Sequence, residues 1–164
     1  MPQHRHHQHH PPYVRPKTEY AAAAWDPHTK HNIRKVEMVQ RSAARWTVGK
    51  DGKKHKKDSV TKMLEGLRWR SLEHRRTDTR LAMLHKILDP EIESIENPNL
   101  RPVTGMAHSA YPHRLTNFRK HTANQFNSFY PRTVRQWNAL DSDVALATYE
   151  VFKDRVSKVQ HQAQ

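Results

Sequence analysis

The chain has 164 residues, a formal net charge of +13 and no cysteine, which excludes a disulfide framework, a thiolate zinc site and a cysteine nucleophile. Only 35% of the residues are hydrophobic and the mean hydropathy is −1.03, so we expect no large core and no β-sandwich. No run approaches the ~20 apolar residues of a membrane span, and the N-terminus lacks the apolar core of a signal peptide, so we expect a soluble, intracellular protein of the nucleus or cytoplasm that is neither secreted nor membrane-bound.

The positive charge is concentrated in the first part of the chain. Residues 1–90 contain 20 Lys and Arg and nine Asp and Glu, whereas residues 91–164 contain nine and seven. Such an asymmetry favours a polyanionic partner, and RNA or DNA suits it better than an anionic membrane.

The pattern of apolar residues and prolines predicts a mostly α-helical protein in two loosely connected parts. We predict a disordered histidine-rich tail over residues 1–12, a basic helical segment over 13–88, a proline-marked linker over 89–117 and a C-terminal helical segment over 118–160. The tail holds five of the fourteen histidines, but a flexible cluster lacks the fixed geometry of a metal site, so we expect no metal.

The first strong helix pattern begins at Asp26 and Pro27, a capping residue followed by a proline, and is expected to end at Gly49. Its predicted buried residues, spaced by three and four, are Ile33, Val36, Val39, Ala43 and Trp46. At roughly 100° per residue, a stripe of arginines lies almost opposite them: Arg34, Arg41 and Arg45. The stripe is either a solvated helix face or a contact surface for nucleic acid.

A lysine-rich loop over residues 49–58 follows this helix. Its like charges repel one another, so we expect an extended loop whose side chains contact phosphates without reading bases. These side chains are Lys53, Lys54, Lys56 and Lys57. The alternative is a loop that only improves solubility.

Two further helices are predicted before the linker. The first follows Asp58 or Ser59, with Val60, Met63, Leu64 and Leu67 on its apolar side. The second is capped by Ser71, continues through Leu88 and ends before Asp89 and Pro90, with Leu72, Leu81, Leu84 and Leu88 toward the core. We expect its arginines at the surface, where Arg75 and Arg76 would contact nucleic acid beside Arg80.

The C-terminal segment carries two helix patterns. Pro131 suits a helix start and is followed by Val134, Trp137 and Leu140 at steps of three. A last helix begins after Thr148, with apolar residues at Tyr149, Phe152, Val156 and Val159.

Several phrases resemble the region after the polymerase core in reverse transcriptases of non-LTR (LINE-type, jockey-like) retrotransposons. They are RPKTEYA at residues 15–21, WDP at 25–27, VEMVQRSAAR at 36–45, SVTKML at 59–64, LEHRR at 72–76, SFYPRTVRQWNAL at 128–140 and FK at 152–153. Their order matches the family's, although Asp141 stands where the family has proline. The resemblance implies a thumb-like segment that helps the polymerase palm to hold template and primer during target-primed reverse transcription.

The chemistry of a polymerase itself is missing from the sequence. Reverse transcription needs paired aspartates that hold two metal ions, and no Asp-Asp occurs; Asp141 and Asp143 are the closest pair and are interpreted as loop acids. We therefore expect a fragment of such a polyprotein that lacks the palm and has no catalytic residue, cofactor or enzymatic activity of its own. The alternatives are a stand-alone nucleic-acid-binding protein recruited from such an element, and a protein-interaction module built on the C-terminal helices.

Overall fold

A computed structural model describes residues 20–48, 60–89, 100–103, 113–119 and 122–159. The histidine-rich tail, the lysine-rich loop and much of the predicted linker lie outside these residues. The described part is mostly helical, which confirms the predicted fold class. Its helices are α1 (Ala22–Trp25), α2 (Lys30–Val48), α3 (Val60–Gly66), α4 (Leu72–Leu88), α5 (Ala123–Asn127), α6 (Phe129–Trp137), α7 (Ser142–Ala145) and α8 (Tyr149–Lys158). None of these helices is long and apolar enough to cross a membrane.

The chain divides into two compact units. Unit 1 comprises Met1–Ala21 and Pro27–Glu73, and unit 2 comprises Ala22–Asp26 and His74–Gln164. This division differs from the predicted segments, because α1 and most of α4 belong to the same unit as the C-terminal helices. The reason is packing: Leu81 and Leu84 of α4 share one hydrophobic core with residues of α6 and α8.

Helix α2 of unit 1 begins later than the sequence predicts. The carbonyl of Thr29 accepts the N–H of Ile33 at 2.9 Å, and its hydroxyl lies 3.4 Å from the N–H of Asn32. Thr29 is therefore the capping residue. Asp26, the predicted cap, belongs to unit 2, where its side chain is used differently.

The buried face of α2 is centred on Gln40 and Ala44. Val39 and Trp46 are 44% and 64% exposed, so the prediction that they are buried is wrong. At 100° per residue they lie about 100–160° from Gln40 and Ala44, beyond the edge of the buried face. The other predicted apolar residues are half-buried: Ile33, Val36 and Ala43.

Polar side chains of α2 hold the connection between α3 and α4. The amide of Gln40 donates to the carbonyl of Arg70 at 2.8 Å, and the carboxylate of Glu37 accepts the N–H of Glu73 at 2.8 Å. A carboxylate at a helix N-terminus satisfies a free N–H and opposes the positive end of the helix dipole. Glu37 therefore stabilises the first turn of α4.

Helix α3 ends in a turn that places one residue in the left-handed region. Trp69 donates its N–H to the carbonyl of Leu64 at 2.8 Å, and Arg68 donates to Glu65 at 2.9 Å, which is the Schellman pattern. Arg68 has φ 53°. Trp69 is half-buried at this junction.

Helix α4 has the predicted bounds, and its leucines lie inward as predicted, with Leu88 partly buried. The prediction that Arg76 and Arg80 lie at the surface is wrong, because they are 0% and 1% exposed. Both lie at steps of four from Leu72 and Leu84, so the helix turns them to its buried side.

Unit 2 has the main hydrophobic core. Its buried members are Leu81, Leu84, Leu115, Val134, Trp137, Leu140, Val144, Ala145, Phe152 and Val156. The predicted apolar positions of α6 and α8 are thus confirmed, except that Tyr149 and Val159 are only half-buried. Helix α6 begins two residues before Pro131, and the short α5 was not predicted from the sequence.

Part of the predicted linker is ordered against this core. The indole N–H of Trp137 donates to the carbonyl of His113 at 2.9 Å. The side chain of Asn138 accepts the N–H of Leu115 at 2.9 Å and donates to its carbonyl at 2.8 Å. Leu115 also forms an isolated antiparallel bridge with Pro102. The Trp-Asn pair that ends the PRTVRQWN phrase therefore anchors an extended segment.

Candidate nucleic-acid interface

Helix α2 exposes three arginines along one side. Arg34, Arg41 and Arg45 are all exposed, as predicted, and at 1.5 Å per residue they extend over about 16 Å of the helix. The stripe lies about 80–120° from the midpoint of Gln40 and Ala44, so it flanks the buried face instead of lying almost opposite to it. Its guanidinium groups are accessible to a bound phosphate.

The other residues predicted to contact nucleic acid differ in exposure and in whether the structure describes them. Lys53, Lys54, Lys56 and Lys57 lie outside the described residues, so their role stays a prediction. Arg75, in unit 2, is half-buried. Arg76 is fully buried, and the prediction that it contacts nucleic acid is corrected because its guanidinium group has no accessible surface.

Arg76 instead belongs to an ion cluster that we call the arginine–aspartate cluster: Asp26, Arg76, Arg80 and Arg132. The Nε of Arg76 lies 2.6 Å from Oδ1 of Asp26, and Nη1 of Arg132 lies 3.1 Å from Oδ2. Arg80 also contacts Oδ2 through Nη1. All four residues belong to unit 2, and the Asp26 side chain is only 5% exposed.

The cluster holds more positive than negative charge. Three guanidinium groups surround the carboxylate of Asp26, and neutral acceptors supplement it: Nη2 of Arg80 donates to Thr77 at 3.1 Å and to Gln136 at 2.9 Å. Burial, and next the charge of Arg132, lower the pKa of Arg80 from its ordinary value to about 9. Arg80 therefore remains protonated at neutral pH. Its buried positive charge is stabilised by the nearby acceptor oxygens.

Aromatic rings contact two arginines of unit 2. The guanidinium group of Arg135 lies 3.3 Å from the centroid of the Phe126 ring, a cation–π contact. Burial and the charge of Arg132 lower the pKa of Arg135. Arg76 makes a second contact of this kind, 5.9 Å from the ring of Trp25.

The cluster joins three of the sequence phrases that are far apart in the chain. Asp26 lies in WDP, Arg76 in LEHRR and Arg132 in PRTVRQWN. The helical spacing of Arg76 and Arg80 between Leu72 and Leu84 was a signal that these side chains face inward. The pairing with Asp26 had no comparable signal, because an Asp before a proline is also typical of a helix cap.

The described residues contain no group of three or more His, Asp or Glu side chains that could hold a metal ion. Asp143 lies 3.3 Å from the guanidinium group of Arg155, and Asp141 occupies the N-cap position of α7. Asp143 therefore takes part in a local ion pair, and Asp141 lies at the start of a short helix.

No family model, no curated protein and no solved structure matches this chain.

Proposed function

We propose that this chain binds RNA or DNA backbones through the exposed arginines of α2, as a segment related to the post-polymerase region of non-LTR reverse transcriptases. It lacks the polymerase palm and has no catalytic activity of its own. Its place is inside the cell, in the nucleus or cytoplasm, where its polyanionic partners are. In a parent polyprotein, the palm would be its neighbour.

The observation that carries the proposal is the exposure of Arg34, Arg41 and Arg45 on one helix. Guanidinium groups match phosphate oxygens in geometry and charge, and contacts of this kind give affinity without base specificity. The lysine-rich loop that follows α2 adds to the positive charge of the same part of the sequence. The whole chain, at +13, favours association with a polyanion.

The proposed relation to retrotransposon proteins rests on the sequence phrases, and three of these phrases meet in the arginine–aspartate cluster. Three phrases on which the resemblance depends each supply one of its charged groups: Asp26, Arg76 and Arg132. Residues of three separate phrases thus meet at one buried site of this chain.

A salt titration tests the proposal. Fluorescence anisotropy with a labelled duplex measures Kd for the full chain between 50 and 200 mM KCl. Three phosphate contacts on duplex DNA predict a loss of affinity of about 40-fold over this range, and contacts from the lysines would increase it. Affinity that does not change with salt, or no binding at 50 mM, would contradict the proposal.

A further inference from the structure

Large apolar side chains share the exposed side of α2 with the arginine stripe. Trp46 is 64% exposed and Met38 is 63% exposed. Trp46 directly follows Arg45, and Met38 lies one turn from both Arg34 and Arg41. Around the helix, Met38 lies about 20–60° from the three arginines and Trp46 about 100–140° from them, so cationic groups and the indole occupy adjacent parts of the exposed side.

This combination matches the chemistry of a single strand. Proteins that bind single-stranded nucleic acid without sequence preference combine cations that follow the phosphates with aromatic rings on which bases stack. In a duplex the flat faces of the bases are covered by their neighbours, so an exposed indole has little to stack on. An exposed tryptophan next to arginines thus favours unpaired nucleotides.

We propose that the exposed side of α2 binds single-stranded RNA or DNA, with phosphates on Arg34, Arg41 and Arg45 and an unpaired base stacked on Trp46. This inference rests on the proposed function and specifies the form of nucleic acid that the same surface takes. The stacking contact gives preference for single strands, whereas the arginines give affinity for any backbone.

A membrane surface is the other partner that tryptophan and arginine together attract. A helix that lies in a membrane interface needs a continuous apolar face. On α2 the exposed Lys35 and Ser42 lie between Met38 and Trp46 around the helix. This interruption favours nucleic acid.

The test compares Trp46→Leu with Trp46→Phe in the full chain. Kd is measured for a labelled oligothymidylate and for a hairpin duplex at the same salt concentration. Trp46→Leu should weaken oligothymidylate binding by about five-fold to a hundred-fold, because it removes one stacking surface. Trp46→Phe keeps an aromatic ring and should retain most of the affinity, and neither change should alter duplex binding.

A matched control is Trp25→Leu, which makes the same substitution at a partly exposed tryptophan of unit 2. Circular dichroism checks that each variant is folded, and the control should bind oligothymidylate as the unmodified chain does.

The inference and the proposed function fail in different ways. If both probes bind in a salt-dependent way and Trp46→Leu leaves their binding unchanged, or weakens it equally, the single-strand inference is overturned. The proposed function then stands. Absence of binding to either probe overturns both. Binding to phosphatidylserine vesicles that Trp46→Leu abolishes, without binding to oligothymidylate, replaces the inference with a membrane surface.

Discussion

At the scale of single residues, Asp26 is the centre of the described charge interactions in unit 2. Its two carboxylate oxygens contact Arg76, Arg80 and Arg132, each of them at most 10% exposed. Removing one partner from a buried ion cluster is costly because the remaining charges stay buried without compensation. The carboxylate of Asp26 should therefore matter more for stability than any surface pair.

We predict that Asp26→Asn lowers the free energy of unfolding by about 3–5 kcal/mol, because it removes the carboxylate charge that compensates three buried guanidinium groups. Urea denaturation followed by circular dichroism and tryptophan fluorescence measures the change. Asn is as good a helix cap as Asp, so this substitution separates the ion cluster from a capping role.

The matched control for Asp26 is Asp143→Asn, which breaks an exposed pair with Arg155. Exposed ion pairs contribute only about 0–1 kcal/mol, so a small change is expected. Equal stability of the Asp26 and Asp143 variants would show that the cluster does not stabilise unit 2.

The folding stability of unit 2 is expected to depend on pH through His113. Burial lowers the pKa of His113 below 6.5, and the charge of Arg114 adds to this effect. A hydrogen bond that the imidazole donates to the backbone of Leu140, and the charge of Asp141, oppose it. The unfolded chain therefore takes up a proton at this residue before the folded chain does. Stability is unaffected by His113 above pH 6.5 and falls as the pH drops below it.

We predict that His113→Gln reduces this loss of stability between pH 7 and pH 5. The comparison is the difference in unfolding free energy between the two pH values, measured by urea denaturation for the variant and the unmodified chain. His31→Gln, at an exposed residue of α2, is the control and should keep the full pH dependence. The same loss in the His113 variant as in the control would contradict the assignment.

At the scale of helices, α2 combines a buried face, an arginine stripe and an exposed tryptophan. We predict that Arg34→Gln/Arg41→Gln/Arg45→Gln lowers the slope of log affinity against log salt by about 2 to 3 on duplex or single-stranded DNA, because three phosphate contacts are lost. Anisotropy titrations at several KCl concentrations measure the slope.

The charge-matched control is Lys153→Gln/Arg155→Gln/Lys158→Gln in α8, which removes three exposed cations from unit 2. It changes net charge by the same amount and should leave most of the slope unchanged. If both triple variants reduced the slope equally, binding would follow total charge and not the face of α2.

Helices with regular apolar spacing could be predicted from the sequence. The bounds of α4, and the buried Val134, Trp137, Phe152 and Val156, follow from steps of three and four. Periodicity does not say which part of a broad apolar arc meets a neighbour, which is why Trp46 was misassigned. The five-residue α5 was missed because a single turn has no period to detect.

The burial of charged side chains was not predicted from the sequence. Arg76 and Arg80 were assigned to the surface because unpaired arginines are seldom buried. Their partner, Asp26, is 50 residues away from Arg76 along the chain, and local patterns carry no information about such a pair. The expectation that Arg76 lies at the surface also led to its assignment as a nucleic-acid contact, whereas it is buried in the arginine–aspartate cluster.

For the whole molecule, the two units use arginine differently. Unit 1 exposes Arg34, Arg41 and Arg45 along α2, whereas unit 2 buries Arg76 and Arg80 around Asp26. Trp137 and Phe152 of the C-terminal helices are in the core, and the alternative of a protein-interaction module built on these helices stays a prediction. We therefore assign nucleic-acid binding to the exposed Arg34, Arg41 and Arg45, and stabilisation of the fold to the buried Arg76 and Arg80.

Arginine modification with phenylglyoxal, mapped by mass spectrometry with and without oligonucleotide, tests this claim most directly. We predict that Arg34, Arg41 and Arg45 react in the free chain and are protected when nucleic acid is added, while Arg76 and Arg80 stay unmodified in both states. The assignment would be contradicted if Arg76 and Arg80 reacted in the folded chain and were protected by nucleic acid. It would also be contradicted if nucleic acid left the reaction of Arg34, Arg41 and Arg45 unchanged.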